Sequence, residues 1–171
     1  MTVARRLDRL GLVLPTVATP VGAYAPAVRT GTQVWTSGQL PFVAGRLLQT
    51  GTVGGEVTAD EAAQAARTAA LNAVAAVAQV LAAESGDAPV EALDRVVRVV
   101  KVTGFVASDP GFTAQPAVLD AASTLLRDIF GDAGVHVRSA VGVAALPLGS
   151  PVEVELVVET RLVETRPETR P

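Results

Sequence analysis

The stretch from Val135 to Glu159, VHVRSAVGVAALPLGSPVEVELVVE, restricts the fold of this chain most, because it contains two segments of alternating polarity. In the first segment the odd positions other than Ser139 are apolar, and the even positions carry a histidine, Arg138, and then only alanine and glycine. In the second segment Glu153 and Glu155 alternate with valine and leucine, as in a half-buried strand. The pattern predicts two strands, with one arginine and several carboxylates on the faces turned away from the aliphatic stripes.

These two strands are predicted to pair as a hairpin. In that register Arg138 lies opposite Glu159, and Glu153 lies opposite Ala144. Arg138 and Glu153 are then about 20 Å apart at ~3.4 Å per residue, so they cannot touch within one chain. A site that uses both residues must therefore be assembled between subunits.

Composition favours a single domain, residues 1–159, followed by a repetitive polar tail, residues 160–171, that we expect to be disordered. The chain has 171 residues, of which 49% are hydrophobic and only 4% aromatic. Few rings are available to stack on bases, and a net charge of -3 argues against a large phosphate-binding surface. We therefore expect no nucleic-acid partner.

The chemistry open to the chain is further limited by three residue types. Cysteine is absent, which excludes disulfides, thiolate nucleophiles and cysteine-based metal sites. His136 is the sole histidine and Lys101 the sole lysine, so zinc centres, catalytic triads and Schiff bases would each depend on one residue. No GxGxxG motif or P-loop opens a helix. We expect no metal and no cofactor.

The remaining segments predict an α+β fold in which two helices cover one face of a sheet. The longer helix begins with a capping box formed by Thr58 and Glu61. In chain order, the predicted elements are a short helix at 2–10, a hairpin of strands 27–29 and 33–37, a strand at 46–49, an alanine-rich helix at 58–84, a strand at 95–107 and a helix at 114–130.

The predicted strand at 95–107, RVVRVVKVTGFVA, is apolar on both faces, as a strand covered on both sides would be. Two helices can cover one face, and we expect a second copy of the chain to cover the other. Gly11 and Pro15 interrupt the apolar run near the N-terminus, and no apolar span of 18 residues is expected anywhere. These patterns predict a cytoplasmic oligomer with no membrane partner.

Arg138 and Glu153 are the leading candidates for chemistry. Arg138 can form a structural ion pair with Glu155 or Glu159, or it can be simply solvated. Alternatively, with Ala140 beside it, it can face an emptied cleft and bind a carboxylate through two parallel hydrogen bonds. Glu153 can be a solvated carboxylate or a base that orients a water molecule.

Four motifs together resemble the Rid family of reactive-intermediate deaminases, also called the YjgF or UK114 family, over nearly the whole chain except the tail. They are G-A-Y near position 24, TSGQLP at 36–41, RVVKVTGFVAS at 98–108, and VRSAVGVAALP at 137–147 before VEVEL. The resemblance implies a chorismate-mutase-like α+β fold, a homotrimer whose sheets form a central barrel, and three clefts between subunits. It also implies hydrolysis of enamines and imines such as 2-aminoacrylate to a 2-oxo acid and ammonia.

The resemblance assigns roles to five residues. Arg138 matches the arginine that binds the substrate carboxylate, and Glu153 matches the acid associated with the water. Tyr24 matches a tyrosine that lines the cleft, and Ser37 and Gly38 match a pair beside the ligand. Without the resemblance, Tyr24 would be interpreted as a core ring, and Ser37-Gly38 as a plain turn at a strand end.

Departures from the family pattern keep the function open. The family often has Pro-Ala before the arginine and cysteine two residues after it, where this chain has His136-Val137 and Ala140. Pro116 stands near the place of an asparagine in deaminating members, and the chain is more similar to a longer branch with an N-terminal helix and an insertion at 131–135. His136 and Ala140 are further site candidates. The leading function is enamine and imine deamination, with a non-enzymatic trimer that binds carboxylate metabolites as the alternative and an endoribonuclease or translation inhibitor as the poorest fit.

Overall fold

A computed structural model describes residues 1–18 and 22–162 of the chain. Of the predicted tail at 160–171, residues 163–171 lie outside the described residues. Thr160, predicted to begin the tail, is instead the buried last residue of a strand. The helices are α1 (Val3–Leu10), α2 (Ala59–Ser85), α3 (Pro89–Ala92) and α4 (Gln115–Phe130). The strands are β1 (Ala27–Thr30), β2 (Gln33–Thr36), β3 (Phe42–Val43), β4 (Arg46–Leu47), β5 (Val96–Ala107), β6 (Val137–Val143) and β7 (Val152–Thr160). Short 3-10 turns occupy Leu93–Arg95, Gly131–Gly134 and Pro147–Gly149.

Five strands form one mixed sheet in the order β1-β2-β7-β5-β6, and β3 and β4 form a separate ribbon. The predicted hairpin of β6 and β7 is wrong, because β5 lies between them. Helix α4 carries the chain from β5 back to the same end of the sheet, so β6 runs parallel to β5. The β7 strand then runs antiparallel to β5 on its other side.

Helices α2 and α4 pack together on one face of this sheet, as predicted for an α+β fold. Helix α2 begins with the predicted capping box, in which the Thr58 hydroxyl accepts from the Glu61 amide and the Glu61 carboxylate accepts from the Thr58 amide. Nine alanines of α2 are fully or almost fully buried, which allows the helix to approach the sheet closely. The core beneath both helices is aliphatic, with Val102, Val154 and Leu156 at its centre.

The apolar character of α2 corrects one expectation from the sequence. The segment Ala59–Ser85 contains an 18-residue window of mean hydropathy 1.3, long and apolar enough by composition to cross a membrane. Within the fold, 67% of that window is buried. Its alanines therefore pack against the sheet and α4, as in the core helix of a globular domain.

The opposite face of the sheet has no helix over it in the described chain. Strand β5 is covered on one side only, and large apolar side chains from four strands are exposed on or beside the open face. They are Val28, Trp35, Val97, Val137 and Val141, with between 43% and 64% of each side chain accessible. The apolar stripe of β6 thus lies on the open face, whereas the apolar stripe of β7 lies under the helices.

Candidate functional site

A cavity of about 570 Å³ lies where the segment after β2 crosses the start of β7. Three of the predicted site residues, Tyr24, Gly38 and Glu153, line it together. The other lining residues are Ala18, Pro26, Gln39, Leu40, Phe42, Gly45, Pro147 and Leu148. The wall is mainly apolar with a single carboxylate, which suits a small organic ligand that needs one acid or base.

The segment after β2 is fixed to β7 by a pair of backbone hydrogen bonds. The Gln39 amide donates to the Val154 carbonyl at 2.9 Å, and the Val154 amide donates back to the Gln39 carbonyl at 3.0 Å. This bridge brings Gly38 against the neighbouring Glu153. A Cβ atom at position 38 would lie 1.6 Å from the Glu153 Oε1 atom, so only glycine leaves room for the carboxylate.

The surroundings of Glu153 favour its protonated form. Partial burial raises the pKa of the Glu153 carboxyl above its usual value, and the nearby Glu155 carboxylate raises it further. Burial also raises the pKa of Glu155. A carboxyl group with a raised pKa exchanges a proton more readily near neutrality, so Glu153 is suited to general acid-base chemistry.

Ser37 lies beside this cavity but has a structural bond. Its hydroxyl donates to the Ala25 carbonyl at 2.6 Å, and its amide donates to the Pro26 carbonyl at 2.9 Å. These bonds hold the segment that carries Tyr24, whose side chain is 53% exposed at the cavity mouth. In the single chain the Ser37 hydroxyl therefore orients the Tyr24 segment, and only its lone pairs remain for a ligand.

Arg138 lies on the other face of the sheet. It is aligned with the buried Val102, and Val102 with Leu156, so its side chain lies on the side of the helices. Glu153 is three residues from Leu156 along β7 and faces the opposite side, which separates the two backbones by ~14 Å. Arg138 and Glu153 therefore do not touch within one chain, as expected, but the reason is a strand order that differs from the predicted one.

The partners of Arg138 differ from those predicted. Its Nη1 atom donates to the Asp120 carboxylate at 2.8 Å and to the Ser123 hydroxyl at 3.0 Å, and both partners belong to α4. Ion pairs with Glu155 or Glu159 are excluded, because these glutamates lie on the opposite face. An ion pair exists, but with a carboxylate that is 70% exposed.

The small residues beside Arg138 are explained by the packing of α4. Ala140 packs against the hydrophobic core, and a Cβ atom on Gly142 would lie 2.7 Å from the Gln115 Nε2 atom. Gln115 itself donates to the Phe112 carbonyl at 2.8 Å at the start of α4. The predicted emptied cleft beside Arg138 is therefore occupied, within one chain, by the first turns of this helix.

His136 precedes β6 and has hydrogen bonds on both ring nitrogens. Its Nδ1 atom lies 2.6 Å from the Gly134 carbonyl, and its Nε2 atom lies 3.0 Å from the Ser123 hydroxyl. Burial lowers the pKa of the imidazole, and the Arg138 charge lowers it further, against the opposing effect of the Gly134 bond. His136 is therefore a half-buried, neutral partner of Ser123 near pH 7.

Sequence reasoning missed two groups of residues around these positions. Asp120 and Ser123 hold Arg138, but they lie on a helix whose contact with β6 depends on the crossover between strands. Phe42 and Leu148 line the cavity, and Leu148 has a positive φ of 57° in a tight turn. The LPLGS sequence signals a turn, but not its approach to Gly38.

Within residues 1–18 and 22–162, no three histidine, aspartate or glutamate side chains cluster as a metal ion would require. The cavity likewise has no cluster of basic groups for the phosphates of a nucleotide cofactor. The chemistry available in it is acid-base chemistry by Glu153 in a mainly apolar pocket.

The raised pKa values give a prediction for stability against pH. A carboxyl group whose pKa is higher in the folded chain than its ordinary 4.5 binds more protons when the chain is folded. It therefore lowers stability as the pH rises from 4.5 through the pKa of the folded state. We expect Glu153→Gln to remove this contribution, so the unfolding free energy of the variant falls less between pH 4.5 and 7 than that of the wild type. Urea denaturation at several pH values measures the difference.

The control for this experiment is Glu91→Gln, which alters an exposed glutamate of α3. The difference in unfolding free energy between Glu91→Gln and the wild type should be nearly independent of pH. Parallel pH profiles for Glu153→Gln and the wild type would contradict the assigned environment of Glu153.

The fold and the Glu153 cavity define an α+β protein with a small-molecule pocket, and comparison with known sequences gives its family. Residues 4–160 match the family described as "YjgF/chorismate_mutase-like, putative endoribonuclease". The chain belongs to this YjgF/UK114 family, as the sequence motifs predicted.

Individual relatives support this assignment over nearly the full length. Protein TCP17 of Trypanosoma cruzi is 44% identical over 158 residues, which cover 92% of this chain and 93% of TCP17. A structure from Agrobacterium tumefaciens, described as of unknown function, has 38% identity and a TM-score of 0.80, with 94% of each chain covered. A structure from Shewanella oneidensis, described as a "putative endoribonuclease", has 36% identity and a TM-score of 0.85, with 93% of this chain and 99% of that chain covered.

Proposed function

We propose that this protein hydrolyses small enamines and imines of the 2-aminoacrylate type to 2-oxo acids and ammonia. The observation that carries the proposal is the Glu153 carboxyl, which lines a mainly apolar cavity with Tyr24 and Gly38 and has a raised pKa. Family membership supports it, because the motifs that resemble the deaminases include these three positions.

The chemistry proposed for Glu153 is transfer of protons to and from water. The Glu153 carboxylate takes a proton from water as the water oxygen bonds to the imine carbon, and the carboxyl group so formed passes that proton to the imine nitrogen. Collapse of the tetrahedral intermediate breaks the carbon-nitrogen bond, releases ammonia and leaves the 2-oxo acid. Arg138 would bind the substrate carboxylate, which takes no part in bond changes.

The complete site would be assembled between copies of the chain in a homotrimer. Arg138 and Glu153 lie on opposite faces of one sheet, so a single chain cannot bring both residues to one ligand. The open face supplies a candidate interface, with Trp35 and Val137 in a groove that also contains Lys101 and Glu155. Burial of this apolar face would drive association of the copies.

The test is a substrate assay with 2-iminobutanoate, generated in the cuvette by oxidation of the corresponding amino acid. We expect the wild type to accelerate ammonia release over buffer. Arg138→Lys keeps the charge but loses the planar pair of donors, so its kcat/KM should fall about tenfold, mainly through KM. Equal rates for wild type, variant and buffer would reject the proposal.

A second candidate is a trimer that binds carboxylate metabolites without turnover. It is favoured by Ala140 and Pro116, which stand where the deaminating pattern has other residues. Binding of 2-oxobutanoate by a protein that does not accelerate imine hydrolysis would establish this function instead.

RNA cleavage is named for the family and for the Shewanella oneidensis relative. In this chain the net charge of -3 disfavours phosphate binding, and the sole histidine is half-buried with both nitrogens bonded. We therefore expect no ribonuclease activity that survives purification and depends on Arg138.

A further inference from the structure

The contact between His136 and Ser123 fixes the direction of a chain of hydrogen bonds. A backbone carbonyl only accepts, so the 2.6 Å contact with the Gly134 oxygen requires a proton on His136 Nδ1. In a neutral imidazole Nε2 is then unprotonated and accepts the Ser123 proton across 3.0 Å. Because serine has one proton, its oxygen presents only lone pairs to its other neighbour.

That other neighbour is Arg138, whose Nη1 atom donates to Ser123 at 3.0 Å and to Asp120 at 2.8 Å. Nη1 has two protons, and these two acceptors use both. The ion pair with the exposed Asp120 holds the guanidinium only weakly, because solvent screens it. The bond to the half-buried Ser123 therefore contributes to the orientation of the guanidinium.

The remaining donors of Arg138 form one edge of its guanidinium. Within the described chain, neither Nε nor Nη2 has a hydrogen-bond partner, and 23% of the side chain is accessible. Nε and Nη2 lie on the same side of the planar group and point their protons in parallel, which matches the two oxygens of a carboxylate.

We propose that Ser123 and His136 are positioning residues that bind Nη1 of Arg138 to α4 and so present its Nε and Nη2 edge to the carboxylate of the ligand. The inference rests on the proposed function only in taking a carboxylate as the ligand. It adds a specific direction of approach for the ligand, along one edge of Arg138. It also gives a role to His136, which stands with Val137 where the Rid family often has Pro-Ala.

The first test reads the histidine directly and needs no ligand. His136 is the sole histidine, so long-range ¹H-¹⁵N spectra of labelled protein report its tautomer without ambiguity. We expect the Nδ1-protonated tautomer, which is the minor one for imidazole in water. The Nε2-protonated tautomer would overturn the proposal, because His136 could then no longer accept the Ser123 proton.

The second test measures binding of 2-oxobutanoate by calorimetry. Ser123→Ala should weaken binding about three- to tenfold, as expected for the loss of one hydrogen bond that orients a charged group. Ser123→Thr retains the hydroxyl and should restore most of the affinity. The matched control is Thr124→Ala, which removes a hydroxyl from the next, exposed position of α4.

The outcomes separate this inference from the proposed function. Affinity that depends on Ser123 in a protein without hydrolytic activity supports the positioning and rejects the deaminase. In an active enzyme the positioning predicts that Ser123→Ala raises KM with little change in kcat, since the carboxylate does not react. Wild-type affinity in Ser123→Ala, or no binding of 2-oxobutanoate at all, overturns the positioning.

Discussion

Gly38→Ala is expected to reduce imine hydrolysis about a hundredfold, the usual contribution of a general acid-base group, while the chain remains folded. The added Cβ would lie 1.6 Å from the Glu153 Oε1 atom and 2.5 Å from its Cδ atom, so the carboxyl must move. It can do so cheaply, because the contact is with the end of a flexible side chain. Initial rates with 2-iminobutanoate, together with thermal unfolding, measure both effects.

The control for Gly38→Ala is Gly111→Ala, in an exposed turn where an added Cβ meets nothing within 4 Å. It should retain full activity. Mixing offers a sharper measurement. If Gly38→Ala is refolded with an equal amount of Arg138→Ala and the proposed trimer assembles at random, about a quarter of the interfaces pair two intact halves. Recovery of about that fraction of wild-type activity is expected, and no recovery would argue against a site shared between copies.

Local signals in the sequence predicted α1, α2 and α4 closely, but not the short helix α3. The capping box of Thr58 and Glu61 depends on four consecutive residues, and Gly11 ends α1 in the left-handed conformation because glycine adopts it without strain. The pairing of β6 was not predictable in the same way. It depends on α4 crossing over the sheet, which places β5 between two strands that are consecutive in the chain.

The candidate site could be predicted only in part, for a related reason. Alternation shows which residues of a strand share a face, but it does not show which face is covered. In β7 the apolar face is buried under the helices, whereas in β6 the apolar residues Val137 and Val141 are on the open face. Arg138 and Glu153 therefore have similar patterns in the sequence and lie on opposite faces of the sheet.

The motif TSGQLP was more informative than the alternation. Its glutamine forms the backbone bridge to β7, and its glycine leaves room for the Glu153 carboxylate; both positions were identified only through the resemblance to a family. The contacts of Arg138 with Asp120 and Ser123 had no such signal. They are set by the rotation of α4 over β6, which a single sequence does not encode in any short motif.

The largest expected loss of stability is that of Gly134→Ala. An added Cβ would lie 2.3 Å from the Leu126 carbonyl oxygen and 2.8 Å from the Arg127 Cα atom. Both are backbone atoms of α4, so no side-chain rotation relieves the clash and the helix must shift. We expect a loss of about 3 kcal/mol in the free energy of unfolding, or roughly 6 to 12 °C in Tm for a chain of this length.

Gly104→Ala is the comparison that tests this reasoning, because the three atoms nearest to its added Cβ all belong to the Leu119 side chain, the first at 2.2 Å. A buried leucine can change rotamer, so the loss should be smaller than for Gly134→Ala. A second consequence is specific to position 134: its carbonyl accepts from His136, so a shift of this turn should also disturb the tautomer of the imidazole. Equal destabilisation by both variants would contradict the assignment of the clash at Gly134 to the helix backbone.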